Sequence, residues 1–324
     1  MNQRNSNIEL LRFILMVTIC ILHMFIHGLG INNIGHAESI NYSHLMICVI
    51  LIPQVNCFML ISGFYGIKFS INKMLNFIIQ ASFYFWLCIL LKYIIWNSFN
   101  ISELIHIFPI STKAWWFLTE YFIIFILSPI INNSLKYISQ KQFLILLGTL
   151  VFINSFGLYI TRISLGSNLL SLLIIYLIGR YFFLYNVTIS RKASIMLWIG
   201  TTIILGIIIY LATCFDYRLA RLLLHYNNPL IILQAIGILY FCLSFPEKHY
   251  QPFIFLGAHC FAIYLITERL GIKLYTAWAN IYNKNIILSI ICILLMCFIC
   301  IYIDIIQARV NKYLQDKILK KIKI

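Results

Sequence analysis

The stretch IELLRFILMVTICILHMFIH, residues 8–27, decides how this chain is read. It is long and apolar enough to cross the hydrocarbon core of a bilayer as a helix. Yet it carries Glu9, Arg12, His23 and His27. Arg12 and His23 are separated by almost three helical turns, so both project from one face, roughly 16 Å apart along the axis. Ionisable groups inside a membrane span are costly and mark functional sites by default. A strong base near one end and a titratable ring near the other suggest chemistry that crosses the bilayer.

The rest of the chain repeats the apolar theme. Of 324 residues, 62% are apolar and only 10% charged, and the mean hydropathy is +0.93. Charged groups too few to cover a water-facing surface exclude a soluble protein. Ten candidate spans follow: 8–27, 44–66, 74–96, 115–131, 142–160, 169–185, 194–214, 229–245, 252–274 and 285–305. Their runs are continuously apolar rather than alternating, which excludes a transmembrane β-barrel. The expected fold is therefore all-α: a polytopic membrane bundle of about ten helices, forming one domain over 1–324 with a basic cytoplasmic tail at 306–324. The first span is too long for a signal-peptide core and lacks a small-residue cleavage site, so it reads as a retained helix.

The net charge of +15 follows topology rather than nucleic acid. Placing both termini in the cytoplasm puts Arg4, Lys68, Lys73, Lys136, Lys141, Arg191, Lys192, Lys248 and the tail from Arg309 inside. Fewer cations (Lys113, Arg162, Arg218, Arg221, Arg269, Lys273 and Lys284) fall outside, and the loop 28–43 has none. The lipid bilayer is the expected partner of this charge. Ten cysteines lie in or beside apolar spans, where they act as small hydrophobes. Cys297 and Cys300 form an isolated C-x-x-C with no second pair.

Each intramembrane polar group has a bland reading beside a chemical one. Glu9 and Arg12 are spaced as an i,i+3 ion pair that can snorkel to water. His23 suits a general base acting on a hydroxyl, or equally an interhelical hydrogen bond. His23 and His27 have metal-ligand spacing, but nothing completes a set unless His36, His44 or His225 arrives through folding. No metal is expected. Ser62-Gly63-Phe64, ending the second span, permit close approach by a helix or a cofactor, and Lys68 and Lys73 beyond them suit phosphates. Trp116 fits an interfacial aromatic belt or a sugar platform. Glu120, one turn deeper, needs a partner, for which Glu268, Arg269 and Lys92 are the candidates. Arg218, Arg221 and His225 give the segment 216–228 a cationic face, suited to headgroups or to an anionic acceptor.

Several motifs agree with one family. Asn7-Ile8-Glu9-Leu10-Leu11-Arg12, then ten residues and His23, resembles the opening of membrane acyltransferase-3 proteins. The second-span ending from Phe58 to Phe64, with its Ile61-Ser62-Gly63-Phe64, is similar to the family's second motif, and Trp116-Phe117-Leu118 through Ser128-Pro129-Ile130-Ile131-Asn132 to its fourth-span pattern. Tyr176-Leu177-Ile178-Gly179-Arg180 and Ala262-Ile263-Tyr264-Leu265-Ile266 add to the agreement. Two positions depart: Asn56 stands near where many members have proline, and Thr267-Glu268 where many have histidine after Tyr-Leu.

The resemblance implies an integral-membrane O-acyltransferase of the polysaccharide O-acetyltransferase type, in the bacterial plasma membrane. It would move an acyl group, expected to be acetyl, from cytoplasmic acyl-CoA to a hydroxyl of a cell-surface or lipid-linked glycan. Acetyl-CoA would be a co-substrate, with no tightly bound cofactor. His23, Arg12 and Glu9 are then the expected catalytic group. Ser62, Gly63, Phe64, Lys68, Lys73, Trp116, Glu120 and Arg180 are the expected binding residues. A transporter or flippase is the alternative, although the chain shows neither inverted repeat nor paired broken helices.

Overall fold

The structure, a computed structural model, describes residues 4–31, 42–98, 100–161 and 166–322. Side chains at 157–161, 218, 310 and 312–322 fall outside that description. His36, Arg162 and most of the cation-free loop also lie outside the described residues. No strand occurs among the described residues.

The first span forms α1 (Ser6–His23), begun by the Asn5 side chain accepting from the Asn7 amide. It continues as a π-helical turn, Met24–Gly28. The second expected span is broken into α2 (Tyr42–Leu51) and α3 (Gln54–Tyr65). Pro53 sits at the break, where its ring cannot continue the hydrogen-bond ladder. Then follow α4 (Ile71–Trp96), α5 (Trp116–Ser134), α6 (Gln140–Thr161), α7 (Leu169–Leu184) and α8 (Arg191–Phe215). The short α9 (Tyr217–Leu223) leads to α10 (Pro229–Leu243). The ninth expected span is also broken, into α11 (Gln251–Ala258) and α12 (Cys260–Leu270). Last come α13 (Ile272–Tyr282) and α14 (Ile286–Ile322), which runs straight through the expected basic tail.

Among the described residues, seven helical segments are long and apolar enough to cross a membrane: Ser6–Gly28, Tyr42–Tyr65, Ile71–Trp96, Trp116–Tyr137, Arg191–Phe215, Gln251–Leu270 and Ile286–Arg309. The other three expected spans coincide with shorter apolar helices, Gln140–Phe156, Leu169–Leu184 and Pro229–Leu243. The 16 residues of α7 reach only about 24 Å, short of a hydrocarbon core of about 30 Å. For these three, spanning remains an expectation. The outward faces of α4, α8 and α14 carry exposed Ile94, Ile203 and Ile287, surfaces suited to lipid rather than water.

Small residues set the closest crossings. A Cβ at Gly63 would lie 2.2 Å from the Tyr176 carbonyl oxygen, and one at Gly179 would lie 2.5 Å from that of Leu60. Thus α3 and α7 cross backbone against backbone. Gly257 of α11 does the same beneath Glu9 of α1, where a Cβ would stand 2.3 Å from the carboxylate. Between α4, α12 and α14 lies a polar knot. Asp304 Oδ2 is 2.6 Å from His259 Nδ1, while Gln80 and Tyr84 donate to Oδ1. His259 stands at the break between α11 and α12.

Candidate active site

A cavity of about 430 Å³ lies along one face of α1. Arg12, Met16, Ile19 and His23 line it at helical spacing, as the shared-face argument requires. Opposite them stand Phe58 and Ser62 of α3, Trp116, Phe117 and Tyr121 of α5, and Gly257, Ala258 and Cys260 around the α11–α12 break. One space therefore touches both the guanidinium and the imidazole.

At the imidazole end, His23 Nδ1 is 3.0 Å from Glu268 Oε2 and 3.0 Å from the Tyr275 hydroxyl oxygen. Tyr275 donates its hydroxyl hydrogen to the same Glu268 oxygen at 3.0 Å. A carboxylate can only accept, so this arrangement favours the proton on Nδ1 and leaves Nε2 with its lone pair. Nε2 has no hydrogen-bond partner among the described residues, and the His23 ring borders the cavity. The same carboxylate would stabilise the imidazolium formed when Nε2 takes a proton.

The backbone supports this grouping. The π turn begins directly after His23, and such wide turns recur at functional sites. Gly28 closes it against α13, where a Cβ would meet the Tyr275 carbonyl oxygen at 2.3 Å. The His27 ring stacks on Tyr275 at 5.9 Å and 23°, and meets His23 edge-on at 5.5 Å. His44 packs edge-on against Phe25 and Tyr282. No group of three or more potential metal ligands occurs among the described residues.

At the other end, Arg12 Nη1 is 3.2 Å from Glu9 Oε1. Glu9 is buried, and its Oε2 has no hydrogen-bond partner among the described residues. The carboxylate steadies Arg12 from outside the cavity. Between the two ends, Trp116 stacks on Tyr226 with ring centroids 5.7 Å apart at 20°. Asn56 holds this wall by donating to the Tyr226 carbonyl oxygen at 2.8 Å. Burial, reinforced by the Glu268 charge, pushes the Tyr226 hydroxyl above the ordinary tyrosine range, so it stays neutral.

A family model described as an acyltransferase domain, that of acyltransferase family 3, matches residues 5–305. The chain belongs to that family. No curated protein and no solved structure matches it.

Within this membrane acyltransferase, the expected site residues divide. His23, Arg12, Ser62 and Trp116 share the cavity. Glu9 contacts it only through Arg12. Gly63 serves the α3–α7 crossing, and Phe64 packs edge-on against Phe183. Arg180 does not line the cavity. Its Nη1 approaches the carbonyl oxygens of Gly63 and Phe64 at 3.4 and 3.5 Å, and its guanidinium lies over Phe183. A cation there satisfies the last carbonyls of α3 and opposes its dipole. Lys73, in the first turn of α4, donates to the Lys68 carbonyl oxygen at 3.1 Å, and neither lysine lines the cavity.

The partner of Glu120 requires correction. It is Lys113, at 2.7 Å, which folds back over the first turn of α5. Arg269 and Lys92 instead both bind Glu103, at 3.1 and 3.0 Å, and Glu268 binds His23. Tyr275 and Tyr226 are site residues to which the sequence assigns no role, and it offers Glu268 only as a partner for Glu120. A carboxylate inside the ninth span was the one available signal for Glu268.

Proposed function

We propose that this acyltransferase is an O-acetyltransferase that takes its acyl group from acyl-CoA on the cytoplasmic side and delivers it to a glycan hydroxyl on the opposite face. The observation that carries this reading is the single cavity bordered by Arg12 at one end and by the Glu268-supported His23 at the other. Arg12 would pair with donor phosphates, and the thioester would reach His23 along the α1 face. Trp116 and Tyr226 offer ring faces suited to a sugar.

In the direct route, Nε2 of His23 takes the proton of the acceptor hydroxyl as its oxygen forms a bond to the thioester carbon. The carbon–sulfur bond then breaks, and the imidazolium returns its proton to the departing thiolate. In the two-step route Nε2 itself attacks, and the thiolate leaves with an acyl-imidazole behind it. The acceptor oxygen then displaces the imidazole, whose freed Nε2 takes the hydroxyl proton and passes it to the thiolate. Glu268 stabilises the charged ring in either route, and Tyr275 fixes the Glu268–His23 alignment.

Purified protein incubated with labelled acetyl-CoA and a glycan acceptor tests the reading. Label should pass to the glycan with release of CoA, and His23→Ala should abolish transfer while the protein still inserts and accumulates. Transfer retained without His23 would sink the assignment.

A further inference from the structure

Arg4 is the second guanidinium on the cavity that holds Arg12 and His23. Unlike Arg12, it forms no ion pair among the described residues. Its backbone is nevertheless fixed. His249 Nδ1 lies 3.1 Å from the Arg4 carbonyl oxygen. The Ser6 amide and hydroxyl both donate to the Lys248 carbonyl oxygen, at 2.9 and 2.6 Å. Asn7 donates to that of Pro246 at 2.9 Å, and Asn5 contacts the Glu247 carboxylate at 3.5 Å. The segment before α1 is thus clasped to the segment before α11, and the clasp holds the exposed Arg4 side chain at the rim of the cavity.

An arginine whose charge is not offset, held at the mouth of a largely apolar cavity, is built for an anion. Arg12, on α1 and partly offset by Glu9, lies further in. Two guanidinia stepped along the wall suit an extended anion such as a diphosphate. Resting on the acyl-CoA reading above, we propose that Arg4 is the rim contact for the diphosphate of the nucleotide thioester donor, with Arg12 as the inner contact. The donor's pantetheine arm then lies between Arg12 and His23, a helix length of roughly 16 Å. Phosphate chemistry at this rim has a second source, an anionic lipid headgroup, and the experiment separates the two.

The full chain, in vesicles of phosphatidylcholine, is assayed with acetyl-CoA and with S-acetyl-pantetheine, which keeps the thioester arm but lacks every phosphate. The readout is the ratio of kcat/KM for the two donors within one sample, so a loss of folded protein cancels. Arg4→Gln should lower this ratio about tenfold through KM for acetyl-CoA, and Arg4→Lys should retain most of it. An unchanged ratio in active protein overturns the proposal and leaves the acyl-CoA reading standing. If Arg4→Gln weakens both donors equally, and only once phosphatidylglycerol is added, the rim holds a lipid headgroup and the proposal also falls. A wild-type protein that acylates from neither thioester overturns the acyl-CoA reading itself, and this contact with it.

Discussion

Glu268 Oε2 lies 3.0 Å from His23 Nδ1 and also accepts the Tyr275 hydroxyl hydrogen at 3.0 Å. The imidazole is thereby oriented from behind, on the side away from its open nitrogen. Glu268→Gln keeps the shape but removes the charge that favours an Nδ1 proton and an imidazolium. We expect kcat to fall about 10²–10³-fold with little change in KM. Steady-state kinetics of acetyl transfer would check this, and wild-type kcat in the variant would remove Glu268 from the mechanism.

Tyr275→Phe removes one hydroxyl and keeps the ring on which His27 stacks. Losing a hydrogen bond to a charged group predicts a kcat lower by about tenfold, milder than the Glu268 change. In a double variant with Glu268→Gln the two losses should not add, because Tyr275 acts through Glu268.

Arg180 and Arg12 should separate cleanly. Arg180→Gln strips the last carbonyls of α3 of their cation, costing about 0.5–1 kcal/mol of stability, with KM for acyl-CoA unchanged. Arg12→Gln should raise that KM. Thermal unfolding in detergent alongside donor titration distinguishes them. A raised KM in Arg180→Gln would return that residue to the donor site.

Gly63→Leu should destabilise the bundle by about 1–3 kcal/mol through overpacking, since no Cβ fits against the Tyr176 carbonyl. The Tm should drop, and Gly179→Leu should behave alike from the other side of the crossing. Gly148→Leu, facing open space, serves as the control with an unchanged Tm.

Hydropathy reaches the seven long spans because lipid imposes one simple demand, a long apolar helix. It reaches the Arg12–His23 face because a helix fixes which residues share a side. It does not reach the partners. Glu268 meets His23 only when α12 docks on α1, and Lys113 meets Glu120 only because the chain before α5 folds back. Apolar runs also hide breaks, such as those at Pro53 and His259. The first had a proline to announce it. At the second, a histidine held by Asp304 of α14 occupies the interruption. Ser62-Gly63-Phe64 was legible as a motif, but the division of labour among its residues depends on α7, whose approach no local pattern encodes.

The wide turn after His23 leaves one continuous rod with two angular settings. Up to His23 the side chains are aimed by the close seating of α1 on Gly257, and from Met24 onward by the seating of Gly28 on α13. A displacement of α13 would therefore swing His27 and Tyr275 while Arg12, Met16 and Ile19 kept their bearing. The imidazole sits at the joint, so its alignment reports whether the two ends of the rod agree.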